Sequence, residues 1–235
     1  LATQEESNPE TVRMMSVDEE VLDSVATVKA MLRSNYGPTP EAFKQGVAES
    51  NDLMKNPPDD GNIYTPAHQL AESPLPLGQT KKQLRCNKGK IYSDVILKVS
   101  PEGETLKTIP IIDLLVANGL VGLLTDSRQP CDALHLNYVD YVTRELAEQI
   151  PGLEEGDLIV SLRHINTLLA IDAGSGSIKW RMTGHTIAQH SPRLQPNGSI
   201  FVFDNYGGRS AVGGSRTVRL SYGSDRLEEV YPRPD

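Results

Sequence analysis

The chain has 235 residues, 38% apolar content and a formal net charge of −8, with a mean hydropathy of −0.36. That length can bury a sizeable core in one or two domains without staples, and the bulk charge argues against a nucleic-acid backbone or an anionic membrane surface as the main partner. No run approaches the ~18–20 consecutive apolar residues of a membrane span; the longest stretch, Ile109 to Leu124, is broken by Pro110, Asp113, Asn118, Gly119 and Gly122.

Residues 1–62 read as an acidic, α-helical N-terminal segment. Ser16-Val17-Asp18-Glu19 is a capping-box pattern, in which the Ser side chain covers a free amide and the Glu reaches back. Val17, Val21, Leu22, Val25, Val28 and Leu32 then recur at helical spacing as one apolar stripe. Gly37-Pro38 stops this helix, and Thr39-Pro40-Glu41 opens a weaker one running to about Met54. The breaker cluster from Asn56 to Gly61 marks a boundary. The stripe either packs onto its own domain or offers a protein partner a docking surface. The chain opens at Leu1-Ala2-Thr3-Gln4 without Met or a basic-then-apolar leader, the pattern of a processed, trimmed or partial chain.

Residues 63–235 read as all-β. Asp94 to Val99 turns through Ser100-Pro101-Glu102-Gly103-Glu104 into Thr105 to Ile109, and Ile111 to Leu120 interrupts as a short helix. Asp157 to Leu162 and Thr167 to Asp172 are strands, the second turning through Ala173 to Ser177 into Ile178-Lys179-Trp180. Pro196-Asn197-Gly198 turns Leu194 into Ile200 to Asp204, and Thr217 to Leu220 pairs with Arg226 to Tyr231. Asn-Gly and glycine-containing loops between alternating runs are the strongest local hairpin signal. Repeated short strand pairs suit a β-propeller of four-stranded blades, and also a sandwich. Cys86 and Cys131 match no zinc spacing; a disulfide and two buried thiols are both compatible with the sequence.

Chemistry-bearing residues gather between Asp132 and Asn205, at strand edges: Asp132-Ala133-Leu134-His135-Leu136-Asn137, Ser161-Leu162-Arg163-His164, and Ala188-Gln189-His190-Ser191-Pro192. Three histidines and an arginine converging there suit a tetrahedral anion, with Arg and imidazolium donors on its oxygens and one free imidazole as nucleophile. The same residue types suit a metal or plain structural roles. No carboxylate joins the set in one motif by spacing, and no HExxH occurs.

These residues carry a resemblance. His135-Leu136-Asn137, Gly156 to Asn166, Ile171-Asp172 with Gly176 to Trp180 and Gly184, Gln189-His190, Pro196-Asn197-Gly198 and Phe203-Asp204-Asn205 resemble, in order and spacing, the arylsulfotransferase (aryl-sulfate sulfotransferase) family. Asp94 to Leu106 resembles an earlier hairpin of that family, and Gly207-Gly208 through Ser215-Arg216 its glycine-rich loop; roughly residues 90–235 are covered. The resemblance implies a six-bladed propeller and sulfuryl transfer from an aryl sulfate to a phenolic acceptor. It implies His190 as the nucleophile that becomes sulfated, with His135, Asn137 and Arg163 gripping the sulfuryl oxygens. It implies no cofactor or metal, and a periplasmic or secretory compartment.

Six blades need roughly 240–270 residues, whereas this chain shows about three. A further family histidine lies on an earlier blade, and His68 is the only earlier histidine here, in a dissimilar context. The expectation is therefore a partial β-propeller with a helical N-terminal segment, either a fragment of a larger ring, one completed by other chains, or a catalytically inactive relative serving as a structural or scaffold subunit.

Overall fold

The computed structural model describes residues 61–125, 127–208 and 214–231. The helices expected before Met54, with their apolar stripe, lie outside the described residues.

The described residues are mostly β. β1 (Ile63–Glu72), β4 (Lys90–Val99) and β5 (Thr105–Pro110) form one antiparallel sheet in the order β1-β4-β5; β2 (Leu75–Pro76) and β3 (Gln83–Leu84) make a small hairpin between β1 and β4. After two short helices, α1 (Ile111–Ala117) and α2 (Val121–Thr125), β6 (Leu136–Tyr141) leads through α3 (Arg144–Gln149) to β7 (Asp157–Leu162). A single 3-10 turn (Arg163–Ile165) joins β7 to β8 (Thr167–Asp172), and β9 (Ile178–Thr183) completes the antiparallel meander β6-β7-β8-β9. A second meander follows, β10 (His190–Leu194), β11 (Ser199–Asp204), β12 (Arg216–Ser221) and β13 (Leu227–Tyr231). None of these sheets closes on itself.

The middle sheet is buried on both faces, and its sequence says why. All six residues of β7 are buried, so the strand is an almost continuous apolar run rather than a polar alternation. Successive side chains still point to opposite faces. Leu158, Val160 and Leu162 join a core with Ile96, Ile111, Leu115, Leu134, Leu169 and Ile171. Ile159 joins Leu168, Ala170, Leu194, Ile200, Val202 and Val218 in a second core on the other side. Each such fully buried aliphatic side chain contributes roughly 1.5–3 kcal/mol before entropy is counted.

The short helix expected over 111–120 is α1, which buries Ile111, Ile112, Leu114 and Leu115. Asn118 ends it, its side-chain amide donating to Leu114 O and to Gly176 O at 2.8 and 2.9 Å. α3 was not expected from the sequence. Thr143 caps it by accepting from Leu146 N–H at 3.3 Å, a signal present in Thr143-Arg144-Glu145 but easily passed over in so short a helix.

Candidate functional site

The three polar motifs meet because loops from three strands dock on one another. Cys131 is disulfide-bonded to Cys86, and its carbonyl accepts Tyr92 N–H at 2.8 Å, which ties the loop ahead of β6 to the first sheet. The 3-10 turn after β7 lies against the same loop: Arg163 N–H donates to His135 O at 3.1 Å and His164 N–H to Leu134 O at 2.9 Å. Arg163 and His164 are thereby fixed beside His135.

Side chains complete the junction. His135 Nδ1 lies 2.6 Å from Asp132 Oδ2, and His164 Nδ1 lies 2.6 Å from the Asp132 carbonyl oxygen and 3.7 Å from Oδ2. The two imidazoles stack at a tilt, their centroids 4.5 Å apart. His68 on β1 stands opposite Asp94 on β4 and feels the charges of Asp132 and His135. Burial, then the Asp132 charge, raises the Asp94 carboxyl to about 7. Burial works to raise Asp132 too, but hydrogen bonding and charge from His135, with His164 and His68 behind them, hold it below the usual carboxylate range.

The loop carrying His190 is clamped from several directions. Ile187 N–H donates to Asp204 Oδ1 at 2.7 Å and Ala188 N–H to Asn166 Oδ1 at 2.8 Å, while Asn205 Nδ2 donates to Ala188 O. Asn137 Nδ2 donates to Gln189 O at 2.8 Å. The fully buried Gln189 side chain accepts from Thr186 Oγ1, and its amide nitrogen faces Ser161 Oγ, Leu162 O and Thr167 O, each at 3.2 Å. His190 is half-buried, and burial, Arg163 and His135 together lower its pKa. Its imidazole is therefore neutral, with a free lone pair, at neutral pH.

Backbone strain marks the same place. Among the described residues, the non-glycine positions in the left-handed region are His135, Asn166, Ala188 and Ser191, with φ of 53°, 51°, 54° and 49°. Each costs of order 1–3 kcal/mol and persists only where its surroundings over-determine it. Two register shifts fall here as well, one at Asn137 and one between His190 and Arg193; bulges of this kind re-aim side chains. Four strained residues and two bulges all lie on the segments bearing the polar side chains.

Of the residues singled out from the sequence, His135, Arg163 and His190 share one electrostatic neighbourhood. Asn137 reaches it through the Gln189 carbonyl. A cleft of about 750 Å³ opens alongside, lined by Arg128, Arg163, His164 and Asn166 with an apolar wall of Leu123, Ile187 and Tyr206. His135 and His190 are not among the residues that line it.

The arylsulfotransferase (ASST) family model matches residues 56–224, well over half of the chain. This chain belongs to the arylsulfotransferase family. No curated protein and no solved structure gives a match. Every residue of the junction just described falls inside the arylsulfotransferase span.

Sequence reasoning left several members of this junction without a role. Asp132 stands three residues before His135 in the same motif, so the statement that no carboxylate joins the set is corrected by the 2.6 Å contact. His164 is one of the three histidines named from the sequence, with no role assigned to it. In the sequence His68 is only the one earlier histidine, in a dissimilar context, and Asp94 only a strand residue, because their 26-residue separation is closed only by the β1–β4 register. The two cysteines, left open between bridge and thiols, are a disulfide.

Proposed function

We propose that this arylsulfotransferase-family chain moves a sulfuryl group from an aryl sulfate to a phenol through a sulfohistidine at His190. The observation that carries this reading is the setting of His190, a half-buried imidazole held neutral beside Arg163 and His135 on a strained, clamped loop. Neutral imidazole attacks sulfur, the S–O bond to the aryl oxygen breaks, and the phenolate leaves with the electron pair. The acceptor phenol gives its proton, directly or through solvent, to the phenolate released in the first step as its oxygen attacks the sulfur of the sulfohistidine, and the S–N bond breaks to restore neutral His190. Charge on the transferring oxygens is where the Arg163 guanidinium and the His135 ring stabilise both displacements.

Asn137 enters this reading in two ways. One amide hydrogen holds Gln189 O and so sets the position of the next residue, His190. The second hydrogen on the same nitrogen is a donor for a sulfuryl oxygen. The apolar wall of Leu123, Ile187 and Tyr206 next to Arg163 suits an aromatic ring. The bridged cysteines favour an oxidising compartment, periplasmic or secretory.

The two meanders support the partial β-propeller reading, because four-stranded antiparallel sheets stacked through shared cores are the unit such rings repeat. A scaffold role has one observation in its favour, the absence of closure among the described sheets. The deciding experiment incubates the chain with 4-nitrophenyl sulfate alone and maps the product by mass spectrometry under conditions that spare an N–S bond. A sulfuryl group on His190, with nitrophenol released, is expected. Well-folded protein that releases no phenol and carries no label would favour the scaffold.

A further inference from the structure

The polar junction holds a donor set of which the sulfuryl reading uses only one face of His135. Asp132, His135 and His164 each offer one ligand atom, and the three atoms lie within 4.8 Å of one another. Two imidazoles and a carboxylate are the ligands of open zinc sites and of facial iron(II) sites. Zinc bonds nitrogen and oxygen at ~2.0–2.2 Å, so its ligand atoms stand about 3–4 Å apart. His164 Nδ1 donates to the Asp132 carbonyl at 2.6 Å, the kind of bond that fixes a ligating imidazole and leaves Nε2 for the ion, and the 2.6 Å between His135 Nδ1 and Asp132 Oδ2 opens to that range with a small side-chain rotation.

The ligand-bearing segments are held in place. The Cys86–Cys131 bridge sits one residue before Asp132, His135 is fixed in the left-handed region, and His164 N–H is bonded to Leu134 O. A second, independent observation comes from β4. Asp94 is 4% exposed, lies against the backbone amides of Leu136 and His135, and its Oδ2 has no hydrogen-bond partner among the described residues. A cation or a cation-bound water beside that oxygen would supply the partner it lacks.

We propose that Asp132, His135 and His164 bind a divalent first-row cation of the zinc class, with Asp94 facing the bound ion or its water. Ligation through His135 Nδ1 leaves Nε2–H on the far side of the ring as a fixed donor. The metal is therefore compatible with the His135 role proposed above, and its binding does not depend on that role.

The test uses the full chain, stripped with a chelator and kept under non-reducing conditions so that no thiolate competes for metal. Zn²⁺ is titrated by calorimetry, and Co²⁺ in parallel by visible absorption, which reports a low-coordinate nitrogen–oxygen site. One equivalent should bind in the micromolar range or tighter. Asp132→Asn and His164→Ala should each weaken binding at least tenfold, with His185→Ala binding like the parent. Circular dichroism checks each fold, and His164→Gln serves if the alanine variant unfolds. No saturable uptake by the folded parent overturns the proposal and leaves Asp132 as a hydrogen-bond acceptor for two imidazoles. Uptake that survives the Asp132→Asn/His164→Ala double variant overturns it as well. No sulfate ester is present, so the result stands apart from whether His190 becomes labelled.

Discussion

Asp204 and Arg216 form a buried ion pair, Oδ2 to Nε at 2.8 Å, and the Asp204 carboxylate also holds the loop leading to His190. The Asp204 side chain is fully buried, while Arg216 also reaches His185 O at 3.2 Å. Asp204→Ala leaves Arg216 with Glu229 at 3.4 Å and strips the Ile187 N–H of its buried acceptor, and should cost about 1–3 kcal/mol, read from the shift in urea midpoint at constant slope. A loss within ~0.5 kcal/mol would mean that the pair is solvated and that the loop is held elsewhere.

Activity should depend on pH through His190. Burial first, then Arg163 and His135, push its pKa below the ordinary 6.5, so the attacking neutral form persists below that pH and is lost only on further acidification. The acid limb of kcat/KM should therefore lie below 6.5. Arg163→Ala removes the second cause and should move that limb upward, while turnover falls because a charge-stabilising contact is gone. His190→Ala should abolish turnover. A parent acid limb at or above 6.5, or a limb indifferent to Arg163, would sink this account.

Protonation of the same residue links to stability. At pH values below 6.5 the unfolded chain binds a proton that folded His190 resists, so stability falls as pH drops through 6.5. His190→Gln should flatten this part of the pH–stability curve, measured by denaturant unfolding at pH 5.5 and 7.5. An equal slope in parent and variant would assign the dependence to other groups.

Asn137 should matter for geometry as much as for binding. Its amide carries Gln189 O, one residue before the nucleophile, and a misplacement of about 1 Å at a reacting group costs on the order of 10²-fold in rate. Asn137→Asp puts a carboxylate oxygen against that carbonyl and should slow sulfuryl labelling of His190 by about this factor. Stopped-flow release of nitrophenol in a single turnover reads the step. A variant that labels at the parent rate would reduce Asn137 to packing.

The disulfide closes a long loop, since its cysteines are 45 residues apart. Loop-closure entropy at this size corresponds to about 4 kcal/mol, and native bridges typically contribute ~2–4 kcal/mol. Cys86→Ser/Cys131→Ser should lower stability accordingly. It should also loosen the Asp132–His135 loop, seen as faster amide exchange at residues 132–136. Unchanged exchange there would show that the hydrogen bonds to Tyr92 and Arg163 suffice.

Much of the fold was legible. The β7 and β8 runs are too short and too apolar for anything but buried strands, and Asn197-Gly198 and Ser175-Gly176 lie in the turns that close β10–β11 and β8–β9. α1 was legible as an interruption between strands. The small helix α3 and the long pairing of β1 with β4 were not. The first is too short for a periodic signal, and the second joins Ile63 to Val99 across a hairpin whose register no local pattern encodes.

By itself the sequence determined which residue types stand at strand edges and in what order, since turn chemistry and apolar runs are local properties. His135, Arg163 and His190 were nameable for that reason. Only the tertiary structure decided which partners each acquires. Asp132 turns from a loop residue into the acceptor for two imidazoles because the 3-10 turn after β7 docks on the loop before β6. His68 and Asp94 join them because β1 pairs with β4, and Asn137 is directed to Gln189 by a bulge. Charges and hydrogen bonds act over a few ångströms of space, and distance along the chain does not report that separation.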